Sequence, residues 1–382
     1  MVASDARLPS GYVPTPVHRV NRASRHDPAI VSIWPAEEPD PADRVYGSTS
    51  SPVRYLGAVI TSRPAASLGD LQAAGDLLSR AWLAGAPFVA ATPGDLAWWF
   101  AQAWPSKLSE HLRLWSADSQ VVAWTWVDGS EFDAQVWSGH RALDEAVERA
   151  ILAWAVEEAS VRARSNGDGT VEAWAAAGDQ RTTDLLRSFG FDRAPVDQPH
   201  NSVSQFLRSV DDSARIPDRR LPTGYRIRSV GGSAELKARV AVHRAAFAPS
   251  QMTLGKYERL IGLPAYRFDD DLVVEAPDGS LAAFAIAWWD PVARVGDFEP
   301  VGTHPDHRRR GLGAALITYA LGRYAVRGAR LVQVYSDTAN AAAEALYQSV
   351  GFQRGGAHLR YRRPPDLTVA FGSFTQQDVQ SS

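Results

Sequence analysis

The chain repeats itself. LRLWSADSQVVAWTWV (residues 112–127) aligns without a gap to LVVEAPDGSLAAFAIA (272–287) at an offset of 160. VEAWAAAGDQRTTDLLRSFGF (171–191) aligns to VQVYSDTANAAAEALYQSVGF (332–352) at an offset of 161. Upstream, LQAAGDLLSRAW and LKARVAVHRAAF form a weaker third pair. Solenoid periods run to about 50 residues, so a period this long means a duplicated domain. In the first pair a strand pattern enters an Asp-containing turn and leaves as a second strand, which is a hairpin. In the second pair a strand leads into a helix that ends in Gly-Phe. Each copy therefore reads as a strand, one or two amphipathic helices, a hairpin, another strand, a long helix, a strand, a shorter helix and one or two closing strands. That is an α/β chain of two tandem domains, each a mixed, largely antiparallel twisted sheet flanked by helices.

A length of 382 residues agrees with two domains. Residues 1–52, rich in Pro, Ser, Asp and Arg with little periodicity, read as an irregular N-terminal extension. The first copy then occupies 53–210, a charged, proline-containing linker 211–223, the second copy 224–364, and a polar C-terminal tail 365–382. The net charge of -3 lacks the basic field that nucleic-acid binding requires, so no nucleic-acid partner is expected. The absence of cysteine removes disulfides, thiolate metal sites and cysteine nucleophiles. No apolar run reaches transmembrane length and the first thirty residues contain no signal core, so no membrane partner and a cytoplasmic location are expected. Eleven of the 13 tryptophans precede residue 211, and their expected role is packing.

The second copy carries a turn that propensity alone does not explain. GDFEPVGTHPDHRRRGLGAALITYALGRYA (296–325) is a strand, a tight turn and a helix in which Arg308, Arg309 and Arg310 stand against Gly311-Leu312-Gly313. Adjacent arginines repel and glycine is a poor helix former. Glycines at a helix N-terminus let backbone amides approach an anion, and the helix dipole is positive there. A Walker loop needs a Gly-Lys-Ser/Thr that is missing here, and the dinucleotide fingerprint needs a third glycine where this chain has Leu316. The remaining pattern is Arg-x-x-Gly-x-Gly, a pyrophosphate cradle. His304 and His307 have no partners at metal-ligand spacing, so no metal is expected and both read as turn or phosphate-side residues.

Further on, NAAAEALYQSVGF (340–352) sets Asn340, Ala343, Leu346 and Tyr347 on one helical face, with Gly351 ending the helix. Together the arginine turn and this helix resemble the GNAT superfamily of acyl-CoA-dependent N-acetyltransferases, strongly over 224–363 and weakly over 53–210 through the repeat; tandem members share the doubled layout. The resemblance implies acetyl-CoA as acyl donor. Val301, Gly302 and Thr303 would line the pantetheine arm, amides of Arg308, Arg309, Arg310, Gly311, Leu312, Gly313 and Ala314 would hold the pyrophosphate, and Asn340 would join the cofactor-binding set. Tyr347 sits where the family places the general acid that protonates the departing thiolate, and a phenol is protonated at neutral pH.

A base is also needed. Alternation along 296–304 puts Asp297, Glu299, Val301 and Thr303 on one side and Phe298, Pro300, Gly302 and His304 on the other. Asp297 stands where many relatives carry a catalytic Glu, and Glu299 lies one pleat nearer the thioester; either serves, and crowding makes one of them hold its proton more tightly. Pro300 donates no ladder bond, so the strand should bulge or leave its neighbour there. The first copy lacks these parts. WSGHRALDEAVERAILAWA (137–155) has no Gly-x-Gly and places Asp144, Glu145 and Glu148 at its helix start, while Asp179 and Leu186 replace the Asn and the Tyr. It reads as a degenerate GNAT-like domain that shapes the cleft or buttresses the second copy. The expectation is an N-acetyltransferase that moves an acetyl group to the primary amine of a small molecule at one site in the second copy, with Trp288, Trp289, Tyr335 and Asp337 as cleft walls. A non-catalytic acyl-CoA sensor or scaffold, or an enzyme acetylating protein lysines or N-termini, would keep the same cradle. The acceptor and the oligomeric state are not legible.

Overall fold

Asp118 and Ser119 adopt positive φ angles of 47° and 67°, which turn the chain tightly between two strands and make the first hairpin. Its counterpart turns on Gly279 (φ 85°), with the Asp278 carboxylate accepting from the Ser280 amide at 3.0 Å and hydroxyl at 2.7 Å. In this computed structural model residues 53–366 are described, apart from 56–57, 87, 90, 137–144, 211–215 and 217–218. The extension 1–52, most of the linker, nearly all of the tail, and the stretch of the first copy that holds Asp144 lie outside the described residues, as does the side chain of Glu145.

The first copy runs β1 (Val53–Tyr55), β2 (Ala58–Pro64), α1 (Leu68–Leu83), α2 (Pro93–Gln102), β3 (Leu112–Ala117), β4 (Gln120–Asp128), β5 (Glu131–Val136), α3 (Glu145–Asn166), β6 (Val171–Ala176), α4 (Gln180–Ser188), β7 (Asp192–Arg193) and β8 (Ser202–Ser209). The second runs β9 (Arg226–Ser229), α5 (Leu236–Ala246), α6 (Leu254–Ile261), β10 (Asp271–Glu275), β11 (Leu281–Asp290), β12 (Val295–Thr303), α7 (Leu312–Val326), β13 (Leu331–Asp337), α8 (Ala341–Ser349) and β14 (Gln353–Arg363). Only β5/β6 and β12/β13 pair in parallel, the rest antiparallel, so the mixed and largely antiparallel expectation holds. Among the described residues no helix is long and apolar enough to cross a membrane.

The copies do not close separate sheets. One sheet runs β1-β2-β3-β4-β5-β6-β14-β8-β13-β12-β11-β10-β9, with β7 on β14. The closing strands are exchanged: β8 of the first copy pairs with β13 of the second from Val203↔Asp337 to Ser209↔Leu331, and β14 of the second pairs with β6 of the first. β8 and β14 then pair with each other and fuse the two halves.

The cores follow the sheet. Helix α7 repeats Leu312, Leu316, Ala320 and Tyr324 at intervals of four, with Ile317 and Leu321 beside them, and lays this stripe on β11, β12 and β13. A second cluster crosses the copies, packing Leu96, Trp98, Trp124 and Trp126 of the first against Val240, Tyr257, Leu260 and Trp288 of the second. The packing role expected of the tryptophans thus holds for these three; Trp104 is exposed and sits under the Arg259 guanidinium at 4.7 Å. Arg239 and Asp271, both fully buried, pair at 2.9 Å and tie α5 to β10, with the Tyr257 and Tyr266 hydroxyls donating to the same carboxylate.

Phe206, at the centre of β8, is fully buried among second-copy residues, and its ring lies 5.5 Å from that of Tyr347. A shared sheet and a shared core predict one cooperative unfolding transition. Tryptophan fluorescence, which reports mainly on the first copy, and far-UV dichroism should give coincident urea curves. Phe206→Ala should shift both together by about 3–5 kcal/mol; separate transitions would show that the copies unfold independently.

Candidate functional site

The arginine turn is built as an anion seat. His304 opens it, its Nδ1 accepting from the Asp306 amide at 3.3 Å. Arg309 and Gly311 both take left-handed φ angles, 64° and 76°, a conformation that Gly adopts freely and Arg only under constraint. No side chain caps α7 at Gly311, so the first-turn amides, which have no partner within the helix, face outward. An anion larger than a carboxylate fits this nest. The three arginines do different things. Arg308 is a staple, donating to the Ala246 carbonyl at 2.9 Å and the Thr303 carbonyl at 3.4 Å. Arg310 turns to the Tyr225 hydroxyl at 3.0 Å and the Asp306 carbonyl at 3.2 Å.

Next to the turn the sheet opens. β12 and β13 are paired from Val295↔Leu331 to Phe298↔Val334 and no further. On the other edge of β12, Ala285 faces Val301 and Ala287 faces Phe298, so Glu299 and Pro300 stand opposite Ile286 alone. This bulge, expected from Pro300, bends β12 away while β13 stays on β8 as far as Asp337. The gap widens into a cavity of about 810 Å³ between Glu299–Thr303, Tyr335–Asp337, the arginine turn and α8.

A carboxyl cluster forms one wall. Glu299 lines the cavity, and Asp297 lies behind it with 1% of its surface exposed. The third member, Asp95, comes from the first copy: it is the third residue of α2, where its carboxylate accepts from the Thr92 amide at 2.6 Å and hydroxyl at 2.9 Å. Asp95 is hydrogen-bonded to both Asp297 and Glu299, and the Thr92 hydroxyl reaches Asp297 at 3.4 Å. Burial is the main cause that pushes all three carboxyls upward, and the Asp95 charge adds to it for the other two. The cluster therefore holds protons at pH values where an exposed carboxyl has lost them. Gly94 allows this approach, because a Cβ there would sit 2.4 Å from the Trp288 ring, whose indole N–H donates to the Glu299 carbonyl at 2.7 Å.

Tyr347 faces the cluster from α8. Its ring packs on Phe206 and Phe352, its pKa is pushed up by burial and then by Glu299 and Asp297, and it lines the same cavity. Tyr335, from β13, is raised by burial and by the same carboxylates, and is hydrogen-bonded to Gln205 of β8. Asn340 caps α8, its Oδ1 accepting from the Ala343 amide at 3.1 Å. Asp179 caps α4 in the same way at 3.0 Å from Thr182, so this position of the motif serves helix initiation in both copies.

Of the residues expected at the site, the cavity wall contains Glu299, Val301, Gly302, Thr303, Arg308, Arg309, Gly311, Leu312, Gly313, Ala314, Asn340 and Tyr347, with Tyr335 and Asp337 of the expected cleft wall. Arg310, Asp297, Trp288 and Trp289 are not part of it. Arg310 is drawn off by Tyr225, and Trp288 is packed in the cluster that crosses the copies. Asp95, Gln205 and Phe206 were not anticipated. The Thr92-Pro93-Gly94-Asp95 capping box marks a helix start in the sequence, but nothing local says that this helix end meets a strand some 200 residues away. In the first copy, Leu186 is core and Glu148 pairs with Arg181, so neither position offers a proton donor or an anion site.

Comparison with known proteins gives the family. The Acetyltransferase (GNAT) family pattern matches residues 243–352. The mycothiol acetyltransferase of Beutenbergia cavernae is 30% identical over 267 residues, covering 68% of this chain and 86% of that one. That of Salinispora arenicola is 28% identical over 271 residues, covering 68% and 83%. Among solved structures, a GCN5-related N-acetyltransferase from Sphaerobacter thermophilus superposes with a TM-score of 0.56 at 17% identity, covering 80% of this chain and 96% of that one. A tandem GNAT protein from the clavulanic acid biosynthesis pathway gives 0.56 at 18%, covering 81% and 99%. The chain belongs to the GNAT acetyltransferase family. It is an acetyltransferase of tandem architecture.

The carboxyl cluster sets a pH signature. Groups whose pKa is raised on folding stabilise the fold fully below their unfolded pKa, near 4, and lose that contribution as pH rises toward the folded value. Asp95→Asn removes one of the three while keeping an acceptor for Thr92. The variant should be more stable than the parent at pH 8 and lose that advantage at pH 4, as read by urea unfolding; equal slopes with pH would show that the three carboxyls do not interact.

Proposed function

We propose that the protein transfers an acetyl group from acetyl-CoA to the primary amine of a small molecule, at a single site in the second copy (224–364), with the first copy (53–210) as wall and buttress. The observation that carries this reading is that an uncapped anion turn, a carboxyl cluster and a buried phenol all meet at one cavity. The residues present fit the donor. The amides of Gly311–Ala314 and the Arg309 side chain would hold its pyrophosphate, and the edge of β12 freed at Val301–Thr303 would bond its pantetheine arm. Bound acetyl-CoA supplies an activated acyl carbon in a thioester.

The chain's own groups then act on protons and position. An amine enters as an ammonium, attracted by the cluster, and must lose a proton before it attacks. Glu299, at the cavity wall, accepts that proton; burial, and then the charges of Asp95 and Asp297 behind it, hold its pKa well above the usual carboxylate range and make its carboxylate a stronger base. As the new N–C bond forms and the C–S bond breaks, the Tyr347 hydroxyl donates a proton to the departing sulfur, and the second proton released by the nitrogen replaces the one the phenol has given up. Burial keeps that phenol protonated across the working pH range. Holding both reactants in one cleft adds the advantage of an intramolecular reaction. The relatives are mycothiol acetyltransferases, so a mycothiol-related amine heads the panel of acceptors to assay, beside other small amines.

Tyr347→Phe should lower kcat by about 10²–10⁴ while isothermal titration shows acetyl-CoA affinity within twofold of the parent. Glu299→Gln should lower kcat/KM comparably. Asp95→Asn should move the acidic limb of the kcat/KM profile to lower pH, because removing a neighbouring negative charge makes the Glu299 carboxylate easier to form. Release of free CoA with each amine is the readout; full turnover in Tyr347→Phe would remove the phenol from the mechanism.

A further inference from the structure

We propose that Arg219 binds the 3′-phosphate on the adenosine end of the acyl donor, and that it makes the protein select donors carrying this phosphate. The inference rests on the acyl-CoA reading above. It starts from the shape of the cavity, which does not stop at the arginine turn. It continues along α8, where Ala341, Ala342, Ala345 and Ser349 form a wall with no side chain larger than serine. Such a wall leaves room for a flat ring. Arg219 lines the cavity at the end of this wall.

Arg219 belongs to the segment that joins the copies, and that segment is anchored at both ends to the site. At one end the Arg219 guanidinium donates to the Ser349 carbonyl, at the C-terminus of α8, at 2.7 Å. At the other, the Tyr225 hydroxyl meets His307 Nδ1 at 3.0 Å and accepts from Arg310 at 3.0 Å. Between them Leu221 packs on the second-copy core. Residues 219–225 therefore form a strap from the far end of α8 to the arginine turn, and they place a cation on the cavity wall beyond α8.

The charges of the cavity support the assignment. Its basic lining side chains are Arg219, His307, Arg308 and Arg309. Arg308 is spent on two carbonyls and His307 is bonded to Tyr225. Arg309 stands at the nest that suits a pyrophosphate. A phosphate monoester at the opposite end of the same donor needs a separate cation, and Arg219 retains most of its five N–H donors for it. One carbonyl bond from an exposed arginine stabilises the fold little, so a purely structural role leaves its position on the cavity wall unexplained.

The test is isothermal titration of the full chain with acetyl-CoA and with 3′-dephospho-acetyl-CoA. The parent should bind acetyl-CoA about tenfold more tightly, the contribution expected of one charge-assisted bond at an exposed site. Arg219→Ala should erase that preference by weakening acetyl-CoA alone. Arg219→Gln, which can still donate to Ser349, should behave like the alanine variant, and Arg219→Lys should keep most of the preference. An unchanged preference in Arg219→Ala, or equal weakening of both donors, would overturn the assignment while leaving the acyl-CoA reading in place. Failure of the parent to bind either donor would remove that reading and this one with it.

Discussion

Everything at the site depends on β12 leaving β13 after Phe298. Two parallel strands that stay paired leave no room for a ligand and no free backbone groups to bind one. The bulge at Glu299–Pro300 ends the pairing, and the vacated edge supplies the cavity wall, while the following turn carries the anion seat. The separation persists because β13 has another partner: β8 runs along its other edge to Asp337, so opening one side does not leave β13 unsupported. A sheet of this kind can open within its middle because its neighbours are well paired.

The partner that holds β13 belongs to the first copy. Its sequence has no Gly-x-Gly at the matching turn and has Leu186 where the second copy has Tyr347, yet it contributes to the site at three points. Asp95 reaches the carboxyl cluster from the start of α2, Gln205 bonds Tyr335, and Phe206 backs Tyr347. The close contact of Gly94 with Trp288 shows how near the two copies must come for this, with no space for even a methyl group.

Local chemistry was legible in the sequence where local forces decide. The hairpins follow from Asp118-Ser119 and Asp278-Gly279, the opening of the sheet from a proline that cannot donate to a ladder, and the anion seat from glycines and arginines at a helix start. What escaped is what distance decides. Alternation marks β8 and β14 as strands but cannot tell which of them closes which half. Asp95 carries an ordinary capping signal that says nothing of the strand it faces. Arg310 matched the cradle by position, but a tyrosine hydroxyl from the start of the second copy claims its side chain.

The exchange of closing strands also dictates an order of assembly on the ribosome. β6 and β8 emerge early, but the strand that lies between them, β14, is the last strand described along the chain. Through most of synthesis the first half must wait with two unsatisfied sheet edges, the kind of surface that recruits stray strands from other nascent chains. Truncated products would be sticky out of proportion to the length they lack, and residence with a chaperone until termination is a natural demand of this topology.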